Sequence, residues 1–298
     1  MDSLPLVSII CLCHNQKDFV ESAIKSVFTQ TYQNIELIVV DDGSTDGSQE
    51  VIRELLKANT DISFISLDDT IGNCAAFNRG LALANGDFII DLAGDDILLP
   101  KRVEEGINDF INAPSEAGVH FSDAFLINAA GEMMDTFYPR NENGQLTEEV
   151  PQGDLYRKLI SRYFICAPTM MTKREVFKKL AGYDEQLSYE DFDFWIRSSR
   201  YYHYLFNPAP LVKKRELPNS LGKVQFTIRS RHLDSTLKVC RKIYDLNNTA
   251  EEYRALIKRC RYEIKQCVKT LNLGLIAKYR KLIKQSQRRL SSLSSMDK

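Results

Sequence analysis

The first hundred residues alternate short apolar runs with segments of helical periodicity. Four runs of strand length occur at 7–12, 35–40, 62–67 and 88–92. Between the first two runs, apolar residues recur at 19, 20, 23, 24, 27 and 28, which is the spacing of one helix face. Alternating strands and helices predict an α/β domain of parallel β-α-β units, whose sheet is covered by helices on both faces.

Polar residues follow three of these runs. They are His14 and Asn15 after the first, Asp41 and Asp42 after the second, and Asp95 and Asp96 after the fourth. Such sheets bind ligands beyond the carboxyl ends of their strands. Two pairs of carboxylates at one edge repel each other unless something positive lies among them. The pattern therefore predicts a binding site at this edge.

Each acidic pair has a functional and a structural interpretation. Asp42 can accept hydrogen bonds from a base and a ribose, or it can belong to a turn in which Ser44 or Asp46 caps the next helix. Asp95 and Asp96 suit Mg²⁺ or Mn²⁺ bridging to substrate phosphates, or they can lie in a solvated turn.

A third acidic pair, Glu190 and Asp191, precedes a segment that carries Phe192, Trp195 and Ile196 and reads as a helix. The helix dipole favours negative charge in the first turn, which is a complete structural explanation of the pair. The functional alternative is a general base for an acceptor hydroxyl.

Several other kinds of protein are excluded by missing motifs. The sequence has no Gly-x-Gly-x-x-Gly after the first strand, no P-loop and no Gly-x-Ser-x-Gly elbow. It also has no apolar run of the ~18–20 residues that span a bilayer, and its N-terminus lacks the pattern of a signal peptide. Seven scattered cysteines fit reduced thiols. We therefore expect a cytoplasmic protein.

The net charge of −1 hides a marked asymmetry. From residue 213 onward there are 22 Lys and Arg against 7 Asp and Glu, whereas the remainder has 17 against 33. From about residue 220 the pattern is helical, with apolar residues at Tyr253, Ile257, Cys260, Ile264, Cys267 and Leu271. A basic helical region of this kind can pack on itself, form a homodimer or contact a membrane surface through residues 220–298. Nucleic acid is not expected as a partner.

Residues 113–160 are less regular and predict a long loop over the site.

Taken together, the segments of residues 5–217 resemble the family-two inverting glycosyltransferases of the GT-A fold. The matching segments occur in the family's order and spacing at 7–10, 14–15, 26–32, 38–46, 76–81, 85–89, 94–100, 182–185 and 190–191. The resemblance implies a Rossmann-like catalytic domain at 1–217, followed by a basic helical region at 218–298. It also implies transfer of a sugar from a nucleoside diphosphate, UDP or dTDP, to a hydroxyl of a saccharide or a lipid-linked acceptor. Enzymes of this family often serve the assembly of cell-surface polysaccharide or lipopolysaccharide.

The resemblance also assigns roles to individual residues. Asp42, with Asp41, His14 and Asn15 beside it, would bind the nucleotide. Asp95 and Asp96 would take the positions of the metal and of the ribose-diphosphate, with Mg²⁺ or Mn²⁺ as cofactor. Asp191, beside Glu190, would deprotonate the acceptor. Asn78 and Arg79 would also belong to the nucleotide site. Before the position equivalent to Asn78 the family often has an arginine, but this chain has Phe77, which leaves the diphosphate contact to Arg79 or a later residue.

Two further departures keep alternatives open. Ala93 stands where the family often has a first aspartate, and residues 215–220 contain no histidine where the family often has Arg-x-His. A catalytically inactive relative that binds nucleotide or a partner is therefore the first alternative. A sugar nucleotidyltransferase is the second, and it is disfavoured because the chain has no Gly-rich loop followed by a basic residue near its start.

Overall fold

The chain divides into two compact units. The structure, a computed structural model, describes residues 4–57, 62–218, 227–228, 230 and 232–296. The first unit comprises residues 1–153, 165–185 and 202–217, and the second comprises 154–164, 186–201 and 218–298. The predicted boundary after residue 217 is one of these divisions. The sequence did not indicate that 154–164 and 186–201 group with the C-terminal region, because both segments interrupt the predicted catalytic domain.

The first half of the first unit is parallel, as predicted. Its strands are β1 (Val7–Cys13), β2 (Ile35–Asp41), β3 (Ser63–Ser66) and β4 (Phe88–Ala93). β1 lies between β2 and β4 and pairs with both in parallel, and β3 extends the sheet beyond β2. Every residue of β1 is buried, which is typical of a central strand covered on both sides.

The helices that follow β1 and β3 cover opposite faces of the sheet. They are α1 (Val20–Phe28) and α3 (Asn73–Leu83), with α2 (Ser48–Lys57) after β2. Residues Val20 and Ile24 of α1 share a core cluster with Ile9 of β1, whereas Gly80 of α3 packs against Ile10. Successive side chains of a strand point to opposite faces. The predicted sheet with two covered faces is therefore confirmed.

The second half of the sheet is mixed. Its strands are β5 (Ile97–Leu98), β6 (Ala117–Ile127), β7 (Met133–Thr136), β8 (Met171–Lys173) and β9 (His203–Arg215). β4 pairs with β8 and β8 with β6 in antiparallel fashion, whereas β6 and β9 are parallel. Helices α4 (Arg102–Ile111) and α6 (Arg174–Leu180) complete this part of the unit.

The prediction of a long loop over 113–160 is wrong for its first half. β6 is an 11-residue strand inside the sheet, and β7 forms a hairpin with it. The sequence pattern does not predict β6, because His120, Ser122 and Asp123 interrupt its apolar residues. All three are buried in the structure. Asp109 of α4 bonds His120 Nε2 at 2.8 Å, and Arg140 pairs with Asp123 at 2.6 Å. The sequence pattern does not reveal these partners.

The second unit is helical, as the sequence predicted for the C-terminal region. Its helices are α5 (Tyr156–Ser161), α7 (Asp191–Ser199), α8 (His232–Leu246), α9 (Ala250–Lys269) and α10 (Leu273–Met296). Thr249 and Glu252 form a capping box at the start of α9. In the part of the chain that the structure describes, no helix combines the length and the apolar character needed to cross a bilayer.

A buried ion pair lies at the centre of this unit. The side chains of Arg259 and Glu263 on α9 are 2% exposed, with 2.8 Å between Arg259 Nε and Glu263 Oε1. The Arg259 guanidinium also lies 4.0 Å from the ring centroid of Tyr163 and 4.5 Å from that of Phe192. Residues 154–164 and 186–201 supply these two rings, so aromatic contacts with Arg259 help to explain why both segments belong to the second unit.

We expect Gly80→Ala to destabilise the first unit by about 1–3 kcal/mol, because overpacking of a closely packed core costs that much. A Cβ at this position would lie 2.6 Å from Ile10 Cγ2 and 3.1 Å from Val40 Cγ2. The measurement is the free energy of unfolding in urea. Gly274→Ala is the matched control, since no heavy atom lies within 4 Å of its Cβ position and alanine is favoured in a helix. Equal stability of the Gly80→Ala and wild-type proteins would contradict the close packing of α3.

Candidate active site

The carboxyl ends of β1, β2 and β4 bring the predicted residues of the first unit together. Asp42 N donates to Cys13 O at 2.8 Å, and Gly94 N donates to Leu12 O at 2.7 Å, so the segments leaving the three strands are bonded to one another. His14 Nδ1 lies 2.7 Å from Asp42 O. The edge at which the sequence predicted a site is thus a single continuous surface of the first unit.

Asp42 holds the loop that leads into α3. Its carboxylate is largely buried and accepts the backbone N–H of Ile71 at 2.7 Å and that of Gly72 at 3.0 Å. Gly43 permits the close approach, because its φ is +66° and a Cβ there would lie 2.6 Å from the backbone of Asp69 and Thr70. No sequence pattern indicates this loop, because the bonds join positions about thirty residues apart.

Asp41 is fully buried and is engaged by its own turn. Its carboxylate accepts Ser44 N at 2.9 Å, Ser44 Oγ at 2.5 Å and Gln49 Nε2 at 2.8 Å. These three bonds satisfy most of the acceptor capacity of a buried carboxylate. They support the structural interpretation for Asp41, and its assignment as a nucleotide contact stays a prediction.

His14 and Asn15 form an exposed polar rim beside Asp42. Asn15 has a φ of +53°, and its Oδ1 accepts Thr45 N at 2.8 Å. Because the partner of His14 Nδ1 is a carbonyl oxygen, this nitrogen carries the proton. His14 Nε2 is then an acceptor, and it lies 3.2 Å from Asn15 Nδ2. The left-handed backbone at Asn15 turns the chain across the end of β2.

Asn78 connects α3 to the Gly182-Tyr183 segment. Its Oδ1 accepts Tyr183 N at 2.9 Å, and its Nδ2 donates to Tyr183 O and to Glu185 Oε1, both at 2.9 Å. Gly182 has a φ of +77°, and a Cβ there would lie 2.5 Å from Asn78 Oδ1. Asn78 therefore has a full set of protein partners, and its neighbour Arg79 is exposed. Their assignment to the nucleotide site stays a prediction.

Among the carboxyl groups at this edge, those of Asp95 and Asp96 are the most costly to ionise. Asp96 is 3% exposed, and its Oδ1 accepts Arg215 N at 2.7 Å. Burial, followed by the neighbouring Asp95 charge, raises the pKa of Asp96 to about 8. Burial also raises the pKa of Asp95. The buried Asp96 and the half-buried Asp95 beside it thus lack enough positive charge to be stably ionised together.

Arg215 organises the backbone around this pair. Its Nε donates to Asp95 O at 2.9 Å, and its Nη1 donates to the carbonyls of Asn128 and Ala129 at 2.9 Å. The guanidinium also lies over the ring of Phe19 at 4.6 Å. In the sequence, Arg215 is notable only because residues 215–220 contain no histidine where the family often has Arg-x-His. Its bonds to Asp95 and Asp96 arise from the pairing of β5 with β9, which the sequence did not predict.

The donor set at Asp95 and Asp96 fits a hard divalent cation. Among the residues described, no group of three or more His, Cys, Asp and Glu side chains is placed to hold a metal ion. Mg²⁺ commonly uses only one or two carboxylates and takes its other ligands from phosphates and water. A cation would supply the positive charge that these two carboxyl groups with raised pKa values lack.

Glu190 and Asp191 lie in the second unit, whereas the residues above belong to the first. α7 begins at Asp191, and Glu190 immediately precedes it. The prediction that this pair lies at the first turn of a helix is therefore confirmed. The role of Asp191 as a base stays a prediction.

Solved structures define the class to which this arrangement belongs. The chain is similar to S. aureus TarS 1–349 in complex with UDP-GlcNAc, with a TM-score of 0.68 and 14% identity over 98% of this chain and 92% of that one. It is also similar to the mannosyltransferase PcManGT of Pyrobaculum calidifontis in complex with GDP-Man and Mn²⁺. The TM-score is 0.61, with 14% identity over 99% of this chain and 81% of that one. The fold is that of the GT-A glycosyltransferases.

The family follows from the sequence match. Residues 8–181 match glycosyl transferase family 2, and the chain belongs to that family of glycosyltransferase enzymes. Among relatives, an uncharacterised glycosyltransferase of Methanocaldococcus jannaschii is 29% identical over 196 residues, which cover 65% of this chain and 64% of that protein. The predicted family and fold are both confirmed.

Asn78→Ala is expected to lower the free energy of unfolding by about 1–3 kcal/mol, because it leaves the backbone N–H and carbonyl of Tyr183 without these partners. Chemical denaturation measures the change. Arg79→Ala is the control, since it alters an exposed side chain one position further along α3. If Asn78→Ala and Arg79→Ala are equally stable, the bonds to Tyr183 do not hold this segment.

The raised pKa of Asp96 predicts a pH dependence of stability. Between the ordinary value of 3.8 and about 8, the folded state retains a proton that the unfolded chain releases. Stability therefore falls as pH rises through this window. In EDTA, the wild-type protein should lose about 1 kcal/mol per pH unit relative to Asp96→Asn between pH 5 and 8. Urea denaturation at each pH gives the two curves. Parallel curves would show that Asp96 is ionised in the metal-free protein.

Proposed function

We propose that this protein is an inverting glycosyltransferase. It would transfer a sugar from a nucleoside diphosphate to a hydroxyl of a saccharide or a lipid-linked acceptor. The observation that carries the proposal is the joining of Asp42, His14 and the Asp95–Asp96 pair at one edge of a family-two sheet. Such an edge offers acceptors for a nucleoside and a place for a cation with its diphosphate.

The donor is a UDP- or dTDP-sugar in this proposal. Asp42 would bind the base, since the two amide bonds to its carboxylate leave acceptor capacity on both oxygens. His14 and Asn15 would border the nucleoside, and the exposed Arg79 would contact the diphosphate. UDP-GlcNAc is the ligand named for the TarS structure, which supports the choice of a nucleotide sugar.

Asp95 and Asp96 would hold Mg²⁺ or Mn²⁺, and the bound cation would stabilise the negative charge of the leaving diphosphate. The structure of PcManGT in complex with GDP-Man and Mn²⁺ supports a divalent ion in this fold. Arg215 would keep the pair in place through its bonds to Asp95 O and Asp96 Oδ1. The part of this chain would be to hold a buried and a half-buried carboxyl group side by side, so that both can be ionised when a cation is bound.

Asp191 would act as the general base. It would remove the proton of the acceptor hydroxyl, whose oxygen would form a bond to the anomeric carbon as the bond to the diphosphate breaks on the opposite face. The configuration of that carbon is then inverted. Glu190 would assist Asp191 in this role. The start of α7 favours the ionised carboxylate that a general base requires.

The cellular setting follows from the same chemistry. We place the enzyme in the cytoplasm, where nucleotide sugars are available, and in the assembly of cell-surface polysaccharide or lipopolysaccharide. Peripheral membrane contact through residues 220–298, of which 220–226, 229, 231 and 297–298 lie outside the described residues, would bring it to a lipid-linked acceptor. A homodimer is the other use proposed for the helical unit.

One competing function has a specific observation in its favour. Ala93 ends β4 where the family often has an aspartate, and the described residues contain no group of three metal-ligating side chains. A protein with this site could bind nucleotide without transferring sugar. Such a protein would bind UDP but would release none from UDP-sugars.

The test is UDP release from UDP-sugars in the presence of Mn²⁺. We expect Asp191→Asn to lower kcat by about 10²–10⁴-fold, because that is the usual contribution of a general base. UDP binding should stay at the wild-type level in this variant. Asp95→Asn should lower both activity and the affinity for UDP with Mn²⁺.

Glu175→Gln is the matched control for Asp191→Asn. Glu175 lies in the first turn of α6, so it has the same relation to a helix dipole, and it is exposed. It should retain wild-type activity. If Asp191→Asn is as active as Glu175→Gln, Asp191 is only a helix-terminal charge and the proposed base is wrong.

A further inference from the structure

The turn between α9 and α10 exposes a cluster of apolar side chains. Val268 is 54% exposed, Leu271 is 53% exposed and Leu273 is 59% exposed. Residues 232–293 contain only one other large apolar side chain with such exposure, Tyr262. We call residues 268–273 the apolar tip. The tip contrasts with the rest of the predicted stripe on α9, where Tyr253, Ile257, Cys260 and Cys267 are buried.

Leu271 combines an unusual backbone conformation with an exposed apolar side chain. The end of α9 is a Schellman motif, because Asn272 N donates to Cys267 O at 2.8 Å and Leu271 N donates to Val268 O at 3.3 Å. Leu271 occupies the position in this motif that glycine usually fills, with a φ of +57°. A leucine there has an unfavourable backbone and an exposed side chain. Neither cost is offset within the described part of the second unit, which indicates that another surface covers the tip.

The charges around the tip indicate what kind of surface this is. Residues 264–296 contain eight Lys and Arg and no Asp or Glu. Lys265 and Lys269 lie in the last turns of α9, and Lys278 and Lys281 lie in the first turns of α10. An apolar cluster surrounded by positive charge is complementary to an anionic lipid surface.

A groove in the same unit places further positive charge behind the tip. Arg241 and Tyr244 of α8 line a groove of about 430 Å³ together with Lys278 and Lys281 of α10. Asp245 is the acidic residue among its lining residues, and Asp234 Oδ1 lies 3.9 Å from Lys278 Nζ. At about 1.5 Å per residue, Lys278 and Lys281 lie about 7.5 and 12 Å along α10 from Leu273. The headgroup layer is about 5–8 Å thick. With the tip at the acyl boundary, these cations would therefore lie at or just above the lipid phosphates.

We propose that the apolar tip inserts into the surface of an anionic phospholipid bilayer, with Lys265, Lys269 and the cations of the groove on the phosphates. This inference extends the membrane contact of the proposed function by assigning it to six residues. It depends on that function only for its biological purpose, since binding to vesicles requires no transferase activity. The failure of one can therefore be distinguished from the failure of the other.

The test is flotation of the full chain with vesicles of phosphatidylcholine, alone or mixed with phosphatidylglycerol. The wild-type protein should bind the mixed vesicles, bind neutral vesicles weakly, and lose binding in high salt. Leu271→Gly should weaken binding about tenfold, because it removes a leucine from the apolar boundary. Its melting temperature should be unchanged or higher, since glycine adopts the required φ without strain. Ile111→Ser is the matched control, because Ile111 is 69% exposed and lies in the first unit.

The charges are tested with variants at opposite ends of α9. Lys269→Gln should weaken binding about fivefold, whereas Arg254→Gln, which removes the same charge fifteen residues away, should have little effect. Equal binding of Leu271→Gly and the wild-type protein would overturn the proposal, as would equal losses in Ile111→Ser and Leu271→Gly. If Leu271→Gly changes the sedimentation coefficient of the protein but not its binding to vesicles, the tip contacts a second copy and the membrane proposal is wrong.

Discussion

The parallel pairing of β1 with β2 and β4 is the constraint on which the candidate active site depends. The register sets Cys13 beside Asp41 and Leu12 beside Ala93. The chain therefore leaves all three strands at the same edge. Residues that are nearly thirty or more than fifty positions apart in the sequence therefore become neighbours at this edge. The close packing of Gly80 against Ile10 lets α3 cover one face, so that the sheet is closed on the side opposite α1.

The acidic residues at that edge differ in the hydrogen-bonding partners that the fold provides for them. Asp41 is satisfied by its own turn, and Asp42 is held by two backbone amides. The Asp95–Asp96 pair has the support of Arg215, yet its pKa values are raised. The cost of ionisation is thus concentrated at this one pair of carboxyl groups. A carboxylate pair in this state is favourable only when a positive ligand is part of the site, which is why the proposed function places the cation there.

The second unit follows a different principle. Arg259 lies between the rings of Tyr163 and Phe192 and beside Glu263, so one buried cation joins segments that are distant in sequence. At the end of the same helix, Leu271 is exposed in a conformation that favours glycine. Buried contacts thus connect the interior of the unit, whereas its tip is exposed. The difference suggests that the helices were shaped for their own packing at one end and for an external surface at the other.

The sequence by itself determined the β-α-β units, the family, the carboxylates at the strand ends and the helical C-terminal region. Each of these depends on local periodicity or on short segments with fixed spacing. Only the tertiary structure decided that residues 117–127 form a central strand, that Asp42 holds residues 71–72, that Arg215 supports Asp95 and Asp96, and that Asn78 bonds Tyr183. The physical reason is the same throughout. A buried polar side chain is stable only with a hydrogen-bonding partner, and that partner is supplied by the fold from a distant part of the chain.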